Sequence, residues 1–374
     1  MNRIILIGNG FDLAHGLKTS YNDFIKWYLK RALLESVEFS TYEDDLISVK
    51  STNYHRAFQH FKTIDNYIDL LYNTNLSNCE NETINTEYHG VINPFEVKIK
   101  SKFLRILLGK CSINTWVEVE NDYYEILKEV FNLKKDRDIE LKNLNNSLSE
   151  ITRYLELYLT ELQPTHLNSE FLSIFDTQLD QDDFVQALDN PGITPKDTLI
   201  LNFNYTSTVE EYFKDSTHNI NPKKYKVNYI NGQLNNIHNP IIFGFGDELD
   251  EVYNLMELEK NKAFLKFIKS FWYFKTNNYH NLLRFINSDE YQIFILGHSC
   301  GLSDRTMLNM LFENENCKSI KLFYYDNGTG YDNYEDLTYE ISQHIRNKAK
   351  MRQLIVPKSK SISIPQVNTV LVEN

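Results

Sequence analysis

Glycine is scarce in this sequence, with 13 in 374 residues. A chain this short of glycine is neither a low-complexity linker nor a fibrous repeat. Cysteine is scarcer still. Cys79, Cys111, Cys300 and Cys317 show no metal-type spacing, which leaves no visible zinc site and predicts free thiols in a reducing cytoplasm. Long apolar runs are missing, so no segment approaches the ~20 residues of a membrane span. The opening run Ile4-Ile5-Leu6-Ile7 stops at Gly8, too short for the core of a signal peptide. Positive charge is in deficit: 39 Lys and Arg face 51 Asp and Glu, a net charge of −12. That argues against a protein whose whole surface tracks a phosphate backbone. The lysine groups Lys98, Lys100, Lys102 and Lys110, and Lys223, Lys224 and Lys226, read as solvated faces.

What is present is ordinary for a globular protein: 42% hydrophobic and 24% charged residues, with aromatics at 13%. The length allows two domains or one α/β domain with a large insertion. Eight of the 13 glycines fall in four clusters: Gly8, Gly10 and Gly16; Gly232; Gly244 and Gly246; Gly297 and Gly301. Glycine marks positions needing positive φ or close approach to the backbone. Three clusters follow strand-like runs, and in an open parallel sheet the loops leaving the strands' carboxyl ends form the ligand crevice.

Arg3 to Ile7 reads as the first strand, and Thr19 or Ser20 can cap a helix with Phe24, Trp27 and Tyr28 on one face. From about 31 to 195 the patterns turn helical. Leu141, Leu144, Leu148, Ile151, Leu155, Tyr158 and Leu162 recur at steps of three and four, the stripe of a core-facing helix, and Pro164 ends it. Residues 74–92 read as a surface loop. Strand signals return at 198–203, 225–229, 241–243, 291–296 and 320–325, with helices at 207–213, 255–286, after Asp304, and at 333–349. The expected fold is α/β, a Rossmann-like parallel sheet from residues 1–30 and 196–350, interrupted by a helical insertion at 31–195 and followed by a tail at 351–374.

Four segments can carry chemistry. Gly8-Asn9-Gly10-Phe11-Asp12, continuing to Gly16-Leu17, places backbone amides where an anion can meet a helix start. It lacks the third glycine of the dehydrogenase fingerprint and the Walker lysine, which disfavours both classes; a tight turn without ligand is the plain alternative. Asn202-Phe203-Asn204-Tyr205-Thr206 ends a strand, where Asn204 can hold a water or a ribose hydroxyl, or simply form an Asx turn. Gly297-His298-Ser299-Cys300-Gly301 also fits the elbow of a serine hydrolase, with Asp326 and His344 downstream, though His344 falls in a helical stretch. His298 can titrate near neutrality or be a hydrogen-bonded loop imidazole. Asn231-Gly232 and Phe243-Gly244-Phe245-Gly246-Asp247-Glu248 complete the set; the acidic pair can bind a ribose, a cation or nothing.

These pieces, in this order, resemble the AbiH family of bacteriophage abortive-infection proteins. The likeness rests on Ile7 to Leu17 with Thr19, Tyr21 and Phe24, on Asn202 to Thr206, on Ile242 to Gly246, and on Gly297-His298-Ser299 with Asp304. More distantly the layout is similar to the sirtuin-type NAD-binding fold. That likeness implies that Gly8, Gly10 and Gly16-Leu17 hold dinucleotide phosphates, with Asn9, Phe11, Asp12 and Gly232 also in the nucleotide-binding site. It implies that Asn204 and Tyr205 approach the nicotinamide ribose, and that Gly297 and Ser299 hold the adenosine ribose. The sirtuin catalytic histidine precedes a glycine, and here Asn231 precedes Gly232. His298, or less readily His15, would have to supply the base. The resemblance therefore implies a cytoplasmic anti-phage effector that binds NAD or a related nucleotide and hydrolyses its N-glycosidic bond, answering a phage-derived trigger and able to form a homo-oligomer. The alternatives are a non-hydrolytic nucleotide sensor, and more remotely a nuclease or serine hydrolase. No resident metal is expected.

Overall fold

The computed structural model describes residues 1–52, 63–70, 83–84, 95–109, 116–162, 167–214, 224–246 and 250–366. Cys79, Cys111, Lys110, Lys223, Pro164, Asp247, Glu248, nearly all of the 74–92 segment and the last eight residues of the tail lie outside the described residues. The chain forms two compact units. One comprises Met1–Thr19, Leu159–Glu248 and Ile268–Asn374; the other comprises Ser20–Tyr158 and Leu249–Phe267. These divisions follow contacts, whereas the boundaries expected near residues 30 and 195 follow composition.

In chain order the strands are β1 (Asn2–Ile7), β2 (Thr41–Glu43), β3 (Ile47–Ser51), β4 (Thr83–Ile84), β5 (Phe95–Ile99), β6 (Thr198–Asn202), β7 (Tyr225–Tyr229), β8 (Tyr291–Leu296), β9 (Cys317–Tyr324) and β10 (Ile362–Ser363). Six of them form one parallel sheet in the order β7-β6-β1-β8-β9-β10. Counted within the sheet this is 3-2-1-4-5-6, the doubly wound order whose switch point lies between β1 and β8. The fold is thus α/β and Rossmann-like, as expected.

The sequence dictates the double winding. β1, β6 and β8 are buried at every position, which requires cover on both faces and explains why they read as unbroken apolar runs. Alternate residues part to the two sides. Ile4, Leu6, Leu199, Leu201, Ile293 and Ile295 share one core with Met307, Leu308 and Leu311 of a helix at Arg305–Glu313. Ile5, Ile7, Ile200, Phe294 and Leu296 share the other with Phe11, Phe171 and Tyr212. Each such side chain stabilises the fold by roughly 1.5–3 kcal/mol. At the amino end of β1 the buried Arg3 guanidinium donates to the carbonyls of Thr177 and Gln178 and to Gln292 Oε1, 3.0 Å away. Desolvation lowers its pKa to about 10.

Three expectations need correction. Ile241–Phe243 is not a strand: Ile242 N–H donates to Asn231 O, and only Phe245 makes a β-bridge, to Ile268. Its apolar side chains are buried, but burial alone does not supply a ladder partner. The helix expected over 255–286 is broken into Glu251–Leu258, a 3-10 turn at Lys262–Leu265, Lys269–Tyr273 and Asn278–Ile286. The helix expected over 333–349 ends at His344, and Asn347 caps a new one, Lys348–Leu354. The tail then adds β10 alongside β9 at the sheet edge.

The second unit is largely helical. Its helix Tyr21–Phe39 is capped by Ser20, whose hydroxyl accepts Asp23 N–H at 3.1 Å. Its helix Arg137–Glu161 buries the stripe from Leu141 to Tyr158. It also carries an antiparallel sheet, β2-β3-β5-β4, which helical periodicity does not announce. Among the described residues no helix is long and apolar enough to cross a membrane.

Candidate functional site

The parallel order brings the carboxyl ends of β1, β6 and β8 together, and with them the three motif loops. Gly297 has φ +77, and a Cβ there would sit 2.2 Å from Phe11 N. A Cβ on Gly8 would meet His298 Cα at 2.6 Å, and one on Gly10 would meet Gly297 O at 2.8 Å. These glycines therefore let two loops of the same protein touch backbone to backbone. The amides follow suit: Gly10 N–H donates to Gly297 O at 2.8 Å and Phe11 N–H to Gly8 O at 2.9 Å. The helix they open, Asn9–Ala14, has six residues. At the switch point, then, the leading amides are engaged inside the protein, with Asn9 partly exposed above them.

Asn204 joins the third strand to this junction. Its Nδ2 donates to Gly8 O at 2.9 Å, and its backbone N–H donates to Asn202 Oδ1 at 3.0 Å, the Asx turn that position alone allows. Two residues on, Thr206 Oγ1 donates to Asp12 Oδ2 at 2.6 Å. Asp12 is 1% exposed and its Oδ1 has no hydrogen-bond donor. Desolvation raises its pKa to about 6, against the opposing pull of Thr206, Thr208 and Asn204. A buried carboxyl that titrates near neutrality thus sits between β1 and β6.

His298 lies on the other side of Gly8, its ring 4.1 Å from that of Phe203. Its Nδ1 accepts Cys300 N–H at 3.0 Å, which puts the proton of the neutral ring on Nε2, 3.5 Å from Asp304 Oδ2. Lys269 Nζ is 2.9 Å from Asp304 Oδ1, and both residues are buried. Burial pushes the Asp304 carboxyl up, but Lys269 and His298 outweigh it and hold it well below the ordinary carboxylate range. This charge group displaces the expected capping role: Asp304 precedes the helix Arg305–Glu313 but makes no side-chain cap bond. Both nitrogens of His298 are committed. His15 is committed as well, with Nδ1 donating to Phe11 O at 2.7 Å and Nε2 2.5 Å from Tyr212 Oη.

The hydrolase elbow does not assemble. Ser299 is exposed, but His344 Nε2 donates to Cys300 O at 2.6 Å and burial lowers its pKa to about 4. Asp326 Oδ1 accepts Gly328 N–H. The Cys300 thiol is pushed far up by burial and is no nucleophile at neutral pH.

Beyond β6 the surface opens into a cavity of about 260 Å³. Leu17, Tyr205, Thr206, Thr208, Glu210 and Gln233 are among its lining residues. Tyr205 Oη donates to Ile242 O at 2.9 Å. Asn231 and Gly232 are buried nearby in the chain, with a Gly232 Cβ position only 2.2 Å from Pro240 O and Asn231 Oδ1 unpartnered. Gly16, at φ +75, borders open space beside Leu17. The fold thus gathers Gly8, Asn204, Gly297 and His298 into one junction and leads Leu17, Tyr205 and Gln233 to the cavity. Ser299 faces solvent. Sequence reasoning misses Lys269, set in an aromatic-rich stretch without a motif, and Glu210. The hydroxyl run Thr206-Ser207-Thr208 is the one local signal that could have pointed to the cavity. Among the described residues no cluster of His, Cys, Asp and Glu could hold a metal ion.

No match was found among curated proteins or among solved structures. A sequence model described as bacteriophage abortive infection AbiH matches residues 4–326, which include every motif loop described above, and the chain belongs to the AbiH family.

Proposed function

We propose that this AbiH protein acts in abortive infection as a cytoplasmic effector that binds NAD or a related nucleotide over the carboxyl ends of β1, β6 and β7 and hydrolyses its N-glycosidic bond. The observation that carries the reading is the continuity of polar groups there. Asn204, Thr206 and Asp12 are hydrogen-bonded to one another or to the Gly8 turn, and Thr206 passes directly into the cavity wall. Of these groups Thr206 lines the cavity, and fixed polar groups of this kind favour a cationic, oxocarbenium-like state. Phosphates bound here would meet Asn9 and the rim of the loops, since the Gly10 and Phe11 amides have partners inside the protein. Incubation of the purified protein with NAD is expected to release nicotinamide, and Asn204→Ala to reduce the rate by ten-fold or more. Unchanged activity in that variant removes the proposed site.

A second reading is a nucleotide sensor that binds without cleaving. It is favoured by the commitment of both nitrogens in His298 and in His15. It predicts saturable binding of NAD or ADP-ribose with no product, and the same assay separates the two.

A further inference from the structure

We infer that the 260 Å³ cavity beside β6 is a ribonucleoside pocket that reads the vicinal diol of a ribose, with Glu210 as the acceptor and Gln233 also in its lining. The inference rests on the nucleotide reading and narrows it to one part of the ligand.

Three observations carry it. The first is position. β6 is the second strand of a 3-2-1-4-5-6 sheet, and in that topology a carboxylate beyond the second strand is placed to accept from ribose hydroxyls. Glu210 follows β6 by eight residues and lines the cavity. The second is chemistry. The described lining contains the Glu210 carboxylate, the side-chain amides of Gln233 and Asn235 and the hydroxyl of Ser207, with the Thr206 hydroxyl given to Asp12 and that of Thr208 to Thr206, but neither lysine nor arginine. A phosphate buried there would lack a cation, whereas a sugar diol finds acceptors and donors. Leu17, Leu159, Leu162 and Leu234 complete the lining. The third is size. At about 260 Å³ the cavity falls just below the ~300–1,000 Å³ of most ligand pockets, so it takes one nucleoside half and leaves the rest of a dinucleotide outside.

The test is calorimetric titration of the full chain with adenosine, nicotinamide riboside, NAD, 2′,3′-dideoxyadenosine and inorganic pyrophosphate, repeated with Glu210→Gln. Saturable binding of at least one ribonucleoside is expected. The dideoxy analogue and the Glu210→Gln variant should each lose ten-fold or more, and the variant should no longer distinguish adenosine from its dideoxy form. Adenosine against nicotinamide riboside then tells which half of NAD enters. If NAD binds but is indifferent to Glu210→Gln, and adenosine and dideoxyadenosine bind alike, the diol assignment falls while the nucleotide reading stands. Binding of pyrophosphate with none of either nucleoside also overturns the assignment. If neither nucleoside, NAD nor pyrophosphate binds, both fall. Because the dideoxy comparison uses the unmodified chain, a Glu210→Gln variant that fails to fold leaves the test intact.

Discussion

A carboxyl group as enclosed as that of Asp12 loses its hydration, and its single strong donor, Thr206, does not repay the cost. Its pKa in the fold, about 6, lies above its ordinary value. The native state therefore binds the proton more tightly than the unfolded chain. Stability contributed by protonated Asp12 is complete below about pH 4 and lost as pH rises through about 6, a decline on the order of 3 kcal/mol. Asp12→Asn, which imitates the protonated form, should flatten this part of the curve. Urea unfolding between pH 4 and pH 8 measures it, and a wild-type slope retained in the variant would assign the proton elsewhere. Lys269 presents the opposite case, a buried cation balanced by Asp304. Lys269→Met strands that carboxylate and should cost about 3–5 kcal/mol, whereas Lys269→Met with Asp304→Leu should recover much of it. Equal losses in single and double variants would contradict the pairing. Neither partnership is legible in the sequence, because each joins residues far apart in the chain with no motif spacing between them.

Among the elements, the loops after β1 and β8 show most clearly where sequence reading succeeds and stops. The apolar runs Arg3–Ile7 and Tyr291–Leu296 followed by glycine identify two central strands and their carboxyl ends correctly. The same glycines suit either a ligand or another backbone, and only the fold tells which: Gly8, Gly10 and Gly297 face each other. A pair of variants separates the two uses of glycine. Gly16→Ala meets positive φ in open space and should cost about 1–2 kcal/mol. Gly297→Ala meets positive φ and a backbone atom, and should cost several kcal/mol, seen as a lower midpoint in urea. Similar costs at both positions would mean that the two loops part easily. The antiparallel sheet of the second unit was missed: Ile47-Ser48-Val49 and Phe95-Glu96-Val97 alternate, but short strands inside a helical stretch are easily outweighed. At Ile241–Phe243 the error ran the other way, since an apolar run signals burial and not pairing.

For the whole molecule, the charge of −12 and the pairing of lysines on its surface set the expected partners. Lys100 meets Glu43 at 3.0 Å, and Lys226 lies 3.7 Å from Asp197, so these two cations are balanced where they stand. The protein should pass through heparin at physiological salt; retention that fades steeply with added salt would favour a nucleic-acid role instead. The fold class was readable from the alternation of strand, glycine loop and helix at both ends of the chain, because a parallel sheet needs such connections. The cavity was not, since its walls come from segments separated by the whole insertion. The central claim, a nucleotide at the carboxyl edge of the sheet, is met most directly by titrating NAD into the wild-type chain and into Asn204→Ala. The account predicts saturable binding that weakens at least ten-fold in the variant. Absence of binding by the wild-type chain, or equal affinity in both proteins, would contradict it.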